Sequence, residues 1–191
     1  MKNTSIILSA IVLFAACKNN DEKTETTATE PAAKPAYTYS EAFSQSVNST
    51  LNAYYSLKDA FVATDAVKVN EAGTQLKTLL DSLKLEEVQT NDSLGYSSIY
   101  GRPGDVSAEI TGMLGENDIE KKRESFEMIS NAFYDMMRVI KPAGVTIYYQ
   151  YCPMAFENKG AYWLSNADSI RNPYFGKKML TCGETKETLK Y

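Results

Sequence analysis

The sequence predicts a mainly α-helical domain: an antiparallel bundle of about four helices, followed by an irregular, aromatic, cysteine-containing C-terminal segment. Three observations lead there. Apolar residues recur at helical spacing over several stretches. Helix-starting and helix-stopping residues bracket those stretches. After Pro142 the chain changes character, and β-branched and aromatic residues take over.

Helix one is expected over residues 40–62. Phe43, Val47, Leu51, Tyr54 and Phe61 fall on one stripe, and Ser40 is a suitable N-cap. Helix two is expected over 65–85, with Val67, Ala72, Leu76, Leu79, Leu80 and Leu83 inward and Thr64 or Asp65 as cap. The short link between them implies an antiparallel hairpin. Residues 86–104 carry Gly95, Gly101, Pro103 and Gly104 and read as a partly packed loop. A short helix follows over 105–114, ended by Gly115.

The last helix carries the clearest signal. Asn117 is placed to cap it, with Glu120 in the capping-box position. Ile119, Arg123, Phe126, Ile129, Phe133, Met136, Met137 and Ile140 trace one face, and Pro142 and Gly144 stop the helix. Residues 145–151 then read as extended. Asn158-Lys159-Gly160 reads as a turn. Ser165 is placed to cap a short helix through Ile170, ended by Asn172-Pro173.

The N-terminus reads as a leader. Lys2 precedes a short apolar run from Ile6 to Ala16, too short to span a bilayer, with small residues before Cys17. Phe-Ala-Ala-Cys resembles the lipobox of bacterial lipoproteins, which implies a lipid-bearing Cys17 as the mature N-terminus. Residues 17–36, rich in Thr, Glu, Lys, Ala and Pro, are expected to be a disordered tether. Residues 37–191 form one domain, with the motif segment at 148–185. The expected location is the cell envelope, on the outer membrane facing the periplasm.

Composition narrows the function. The net charge of −4, without a basic patch, argues against nucleic acid. Histidine is absent, which removes Ser-His-Asp and Cys-His sites, imidazole metal ligands and the usual general base near neutral pH. The expectation is a protein that is not an enzyme.

The candidate site lies in the motif segment. Cys152 and Cys182 are the only cysteines after Cys17, and Met154 and Met179 lie close to them in sequence. In an extended chain Cys152 and Met154 share a side. In a helical turn Met179 and Cys182 share a face. Two thiols and two thioethers are soft donors suited to Cu(I). Three readings stand side by side: a Cys152–Cys182 disulfide with the methionines as core filler, soft-metal ligation, and thiol redox chemistry. Met113, Met128, Met136 and Met137 read as core. Arg171, between apolar neighbours, reads as half of a buried ion pair or as an anion ligand.

Four motifs in order carry a wider likeness: Cys152-Pro-Met-Ala, Gly160-Ala-Tyr-Trp-Leu-Ser165, Ile170-Arg-Asn-Pro-Tyr-Phe-Gly176 and Met179-Leu-Thr-Cys-Gly183. Upstream, residues 118–126 and 54–60 extend it. Together they resemble a periplasmic domain family of unknown function in Gram-negative bacteria, found alone in lipoproteins or appended to adaptors of CusB-type heavy-metal efflux pumps. The resemblance implies a helical bundle, a link to copper-type export and an efflux adaptor as partner. It marks Cys152, Met154, Met179 and Cys182 as candidate ligands. Where short heavy-metal modules continue Cys-Pro-Met with His-Pro, this chain has Ala155-Phe156 and offers no imidazole. The function expected first is a lipid-anchored envelope protein that binds soft metal. The alternative is a non-catalytic interaction module stapled by the disulfide.

Overall fold

The computed structural model describes residues 37–191. The leader, Cys17 and the tether lie outside the described residues. Among the described residues no helix is long and apolar enough to cross a membrane. The domain is mainly helical, with a small three-stranded antiparallel sheet near its C-terminal end.

Helix α1 (Glu41–Ala63) begins where the sequence predicts, with the Ser40 hydroxyl accepting from the Phe43 N–H. Asp65 caps α2 (Ala66–Ser82) in the same way. Residues 86–99 are not a loop. They form two short helices, α3 (Glu86–Asn91) and α4 (Ser93–Ile99), with Asp92 capping α4 through Gly95. One of the glycines that suggested a loop has a packing role, while Gly101 and Gly104 have open space around them. A side chain at Gly95 would meet Asp92 and Val139, so glycine lets α4 approach the neighbouring helix.

Helix α5 (Arg102–Gly115) starts three residues earlier than predicted, with Pro103 in its first turn, where a missing N–H costs nothing. Helix α6 (Ile119–Ile140) is capped by Asp118, whose carboxylate accepts from the Glu120 N–H. Asn117 is therefore not the cap, and Glu120 is free to pair with Arg123.

Helix α1 packs on α2, α2 on α5 and α5 on α6. An aromatic column closes the bundle between α1 and α6. Tyr54 stacks on Phe126 and Phe133, and Phe61 leans on Phe126. Tyr54 meets the later Phe133 while Phe61 meets the earlier Phe126, so α1 and α6 run antiparallel. Phe126, Phe133, Met113, Met136 and Met137 are buried as expected. Met128 is not core, because it sits off the apolar stripe and is exposed. Lys122, also buried, donates to the Met113 carbonyl in the last turn of α5, complementing the negative end of that helix.

The C-terminal segment is more regular than the sequence suggests. Strand β1 (Thr146–Cys152) lies between β2 (Ala161–Ser165) and β3 (Glu184–Lys190), antiparallel to both. Along β3 the pairing slips by one: Tyr149 faces Glu187 but Gln150 faces Thr185, leaving Lys186 as an extra residue. One face of the sheet, with Ile147, Leu164 and Leu189, is buried towards the helices, and Tyr149 stacks on Tyr134 of α6. The other face, with Gln150, Cys152 and Trp163, is covered by residues 166–183. That cover has no helix over 165–170; Ser165 instead bonds to Ala167 in a tight bend.

Candidate functional site: a thiol pair under a pinned loop

Two reversals bring the cysteines together. After Cys152 the chain turns through Phe156, Glu157 and Asn158, all with positive φ, and then Gly160 at φ +81°. Gly160 has no room for a side chain, since a Cβ there would sit 2.0 Å from the Tyr151 hydroxyl. Strand β2 follows, setting Ala161 opposite Cys152. The covering loop then carries the chain back to Cys182.

Asn172 organises that loop. It is fully buried, and its amide donates to the Cys182 carbonyl at 2.7 Å. Its side-chain oxygen accepts from the Tyr174 and Phe175 N–H groups, and its own N–H donates to the Leu180 carbonyl. Arg123 ties this turn to the bundle. Only 2 % exposed, it donates from Nε to the Pro173 carbonyl at 2.9 Å and from Nη2 to the Phe61 carbonyl and the Thr64 hydroxyl. Glu120 balances its charge. Gln150, also buried, donates to the Ala167 and Asp168 carbonyls and holds the loop's other end.

The result is a Cys152 Sγ to Cys182 Sγ distance of 2.9 Å, with both thiols free. Two sulfurs this close lie well inside ordinary non-bonded contact. They are also farther apart than the roughly 2.05 Å of a formed disulfide. Cys152 is fully buried and Cys182 is half-buried. The adjacent Cys152 sulfur and burial push the Cys182 thiol up to about 11, while the Met154 N–H, donating to that sulfur, pulls the other way. Cys182 is thus a neutral thiol in the reduced protein at neutral pH.

The four predicted sulfur residues share this neighbourhood unequally. The structure joins Cys152 and Cys182 directly. Met154 reaches the pair through its backbone, while its side chain is 46 % exposed and so is not core filler. Met179 is half-buried, and its carbonyl accepts from the Cys182 N–H. Among the described residues no group of three or more His, Cys, Asp or Glu could hold a metal ion. Arg171 is exposed and belongs to no buried pair; the buried arginine is Arg123.

Sequence reasoning missed Asn172 and Arg123 as the residues that set the site. Asn172 reads as a helix stop before proline, and Arg123 as one polar interruption of an apolar stripe. That interruption was the available signal, since a buried guanidinium needs several acceptors at once.

Residues 50–143 match the model of a family described as Protein of unknown function (DUF3347). The DUF3347 span runs from within α1 to just past α6. It covers the bundle, including Arg123, and ends before β1, so neither Cys152 nor Cys182 lies inside it. No curated protein and no solved structure matches the chain.

Proposed function

We propose that the chain is a non-catalytic envelope module, anchored by lipid at Cys17, whose C-terminal surface is set by a Cys152–Cys182 disulfide and docks a partner in heavy-metal efflux. The carrying observation is the 2.9 Å approach of two thiols thirty positions apart in the chain. An oxidising compartment converts such a pair to cystine with little movement. The lipid anchor and the efflux setting come from the leader and the motif likeness.

A specific observation favours a second reading. Met154 presents its thioether to solvent beside the pair. Reduced Cys152 and Cys182, with Met154 and Met179, would make a soft-donor set for Cu(I). That set must lose thiol protons to bind, so affinity rises with pH and disappears on oxidation.

One experiment separates them. The protein is isolated from envelopes without reductant, its thiols are counted, and the reduced form is titrated with Cu(I) against a competing chelator. The module reading expects an oxidised pair and no Cu(I) binding by the reduced form. A free pair that binds Cu(I), with binding lost in Cys152→Ser and weakened in Met154→Leu/Met179→Leu, replaces it with the metal reading.

A further inference from the structure

The two sulfurs of the thiol pair are not equivalent. Cys152 is fully buried, whereas Cys182 is half-buried and follows the exposed Thr181. The residues just after β1 are exposed too: Pro153, and Met154, whose N–H donates to the Cys182 sulfur. Cys182 therefore lies near the protein surface, with the Cys152 sulfur behind it at 2.9 Å. The backbone holds this order in place. Asn172 grips the Cys182 carbonyl at 2.7 Å. At Gly183 a Cβ would sit 2.8 Å from the Tyr151 carbonyl and 2.9 Å from the Trp163 ring, so the chain just after Cys182 lies directly on β1 and β2.

Turning two thiols into cystine requires an acceptor of two electrons. A disulfide R–S–S–R is such an acceptor, and exchange begins when one cysteine sulfur approaches one sulfur of the reagent in line. Access then decides which cysteine reacts first.

We propose that Cys182 is the site at which an external disulfide thiolates this protein, and that Cys152 resolves the adduct. The second half rests on the disulfide reading given above; the first does not. In the first step Cys182 gives its thiol proton to water and its sulfur attacks R–S–S–R. The Cys182–S–S–R bond forms, the reagent's S–S bond breaks, and R–S⁻ leaves and takes up a proton. In the second step Cys152 loses its proton and attacks the Cys182 sulfur. The Cys152–Cys182 bond forms, the Cys182–SR bond breaks, and a second R–SH leaves. Two cysteine thiols give up two electrons, and one R–S–S–R is reduced to two R–SH. Reduction runs the same path backwards, with an external thiol entering at Cys182. The protein is the substrate of this exchange, not its catalyst.

The test mixes purified, reduced protein with glutathione disulfide and follows it by intact mass and peptide mapping after an acid quench. Cys152→Ser should accumulate one glutathione, on Cys182. In Cys182→Ser the remaining Cys152 should react about tenfold or more slowly, because a fully buried thiol is reached only when the loop opens. Wild type should pass through a transient adduct on Cys182 to the closed disulfide. In urea the two variants should react at similar rates, which assigns the difference to the fold. A parallel arm with an oxidised Cys-x-x-Cys oxidoreductase tells a protein-borne from a small disulfide by which is trapped faster on Cys182. Should either variant lose its helical circular dichroism, brief alkylation of reduced wild type with iodoacetamide takes its place, and Cys182 should be labelled first by the same factor. Equal rates at the two cysteines of the folded protein, or a faster Cys152, overturn the proposal and leave the disulfide reading standing. A lasting glutathione adduct on wild-type Cys182 overturns the disulfide reading, and the resolving role of Cys152 with it.

Discussion

Replacing Arg123 with Ala removes the one side chain that joins α6, the end of α1 and the loop carrying Asn172. Its effect can be worked through bond by bond. The Pro173 carbonyl loses the Arg123 Nε donor in a buried setting, and a stranded buried acceptor costs about 1–3 kcal/mol. The Phe61 carbonyl loses less, because it still accepts from the Thr64 N–H. Glu120 is 58 % exposed and returns to water without stranding a buried charge. Adding the packing lost with the buried stem, the expected destabilisation is about 3 kcal/mol, read from urea unfolding of the reduced protein. A second readout follows from position. Pro173 is next to Asn172, which holds the Cys182 carbonyl. A loosened loop should expose Cys182, and its alkylation in native buffer should speed up by about tenfold or more. A destabilisation under about 1 kcal/mol with an unchanged alkylation rate would refute the view that Arg123 anchors the site.

Two further outcomes are expected. Phe126→Ala should cost about 3–5 kcal/mol in the same unfolding assay, because Phe126 is fully buried between Tyr54, Phe61 and Tyr174; a loss near zero would mean the aromatic column does not hold α1 to α6. The Cys182 thiol is raised in the fold from its ordinary value of 9.0 to about 11, so the stability it contributes in the reduced protein is present below pH 9 and is lost as pH rises through about 11. Unfolding midpoints from pH 8 to 11 should therefore fall, and Cys182→Ser should flatten the decline.

The bundle was legible because burial and helical period reinforce each other. The stripe from Ile119 to Ile140 predicts which residues are buried with few exceptions, the Ser40 cap is read directly, and Asp65 is one of the two caps the sequence offers for α2. The short helices α3 and α4 were hidden by Gly95, Gly101 and Gly104, which signal loops locally; only at Gly95 does the missing side chain permit a close approach. Strand β3 was hidden for a different reason. Its residues, Glu-Thr-Lys-Glu-Thr-Leu-Lys, are mostly polar because it is an edge strand whose partner β1 supplies the order. The sequence brackets the thiol pair but cannot supply its approach. That depends on Asn172 and Arg123 bonding to carbonyls, and backbone acceptors carry no residue signature.

The extra residue Lys186 gives β3 a dependence on which residue the ladder skips. Residues 187–190 and residues 184–185 pair with the same strand, β1, but in frames one position apart. Thr185 faces the loop side, where it meets Gln150 and Asp168, only because that frame change lies between it and Glu187. Exchanging Lys186 for another side chain leaves the count intact. Deleting it would leave the pairs Tyr149–Glu187, Gln150–Thr185 and Tyr151–Glu184 in place, whereas taking it into the ladder opposite Gln150 would turn Thr185 to the opposite face and carry Gly183 and Cys182 one residue along β1, away from Cys152. The meeting of the two sulfurs is in this sense a matter of which residue the ladder skips: it tolerates a change of letter at position 186, or a missing one, and does not tolerate the ladder taking that residue in.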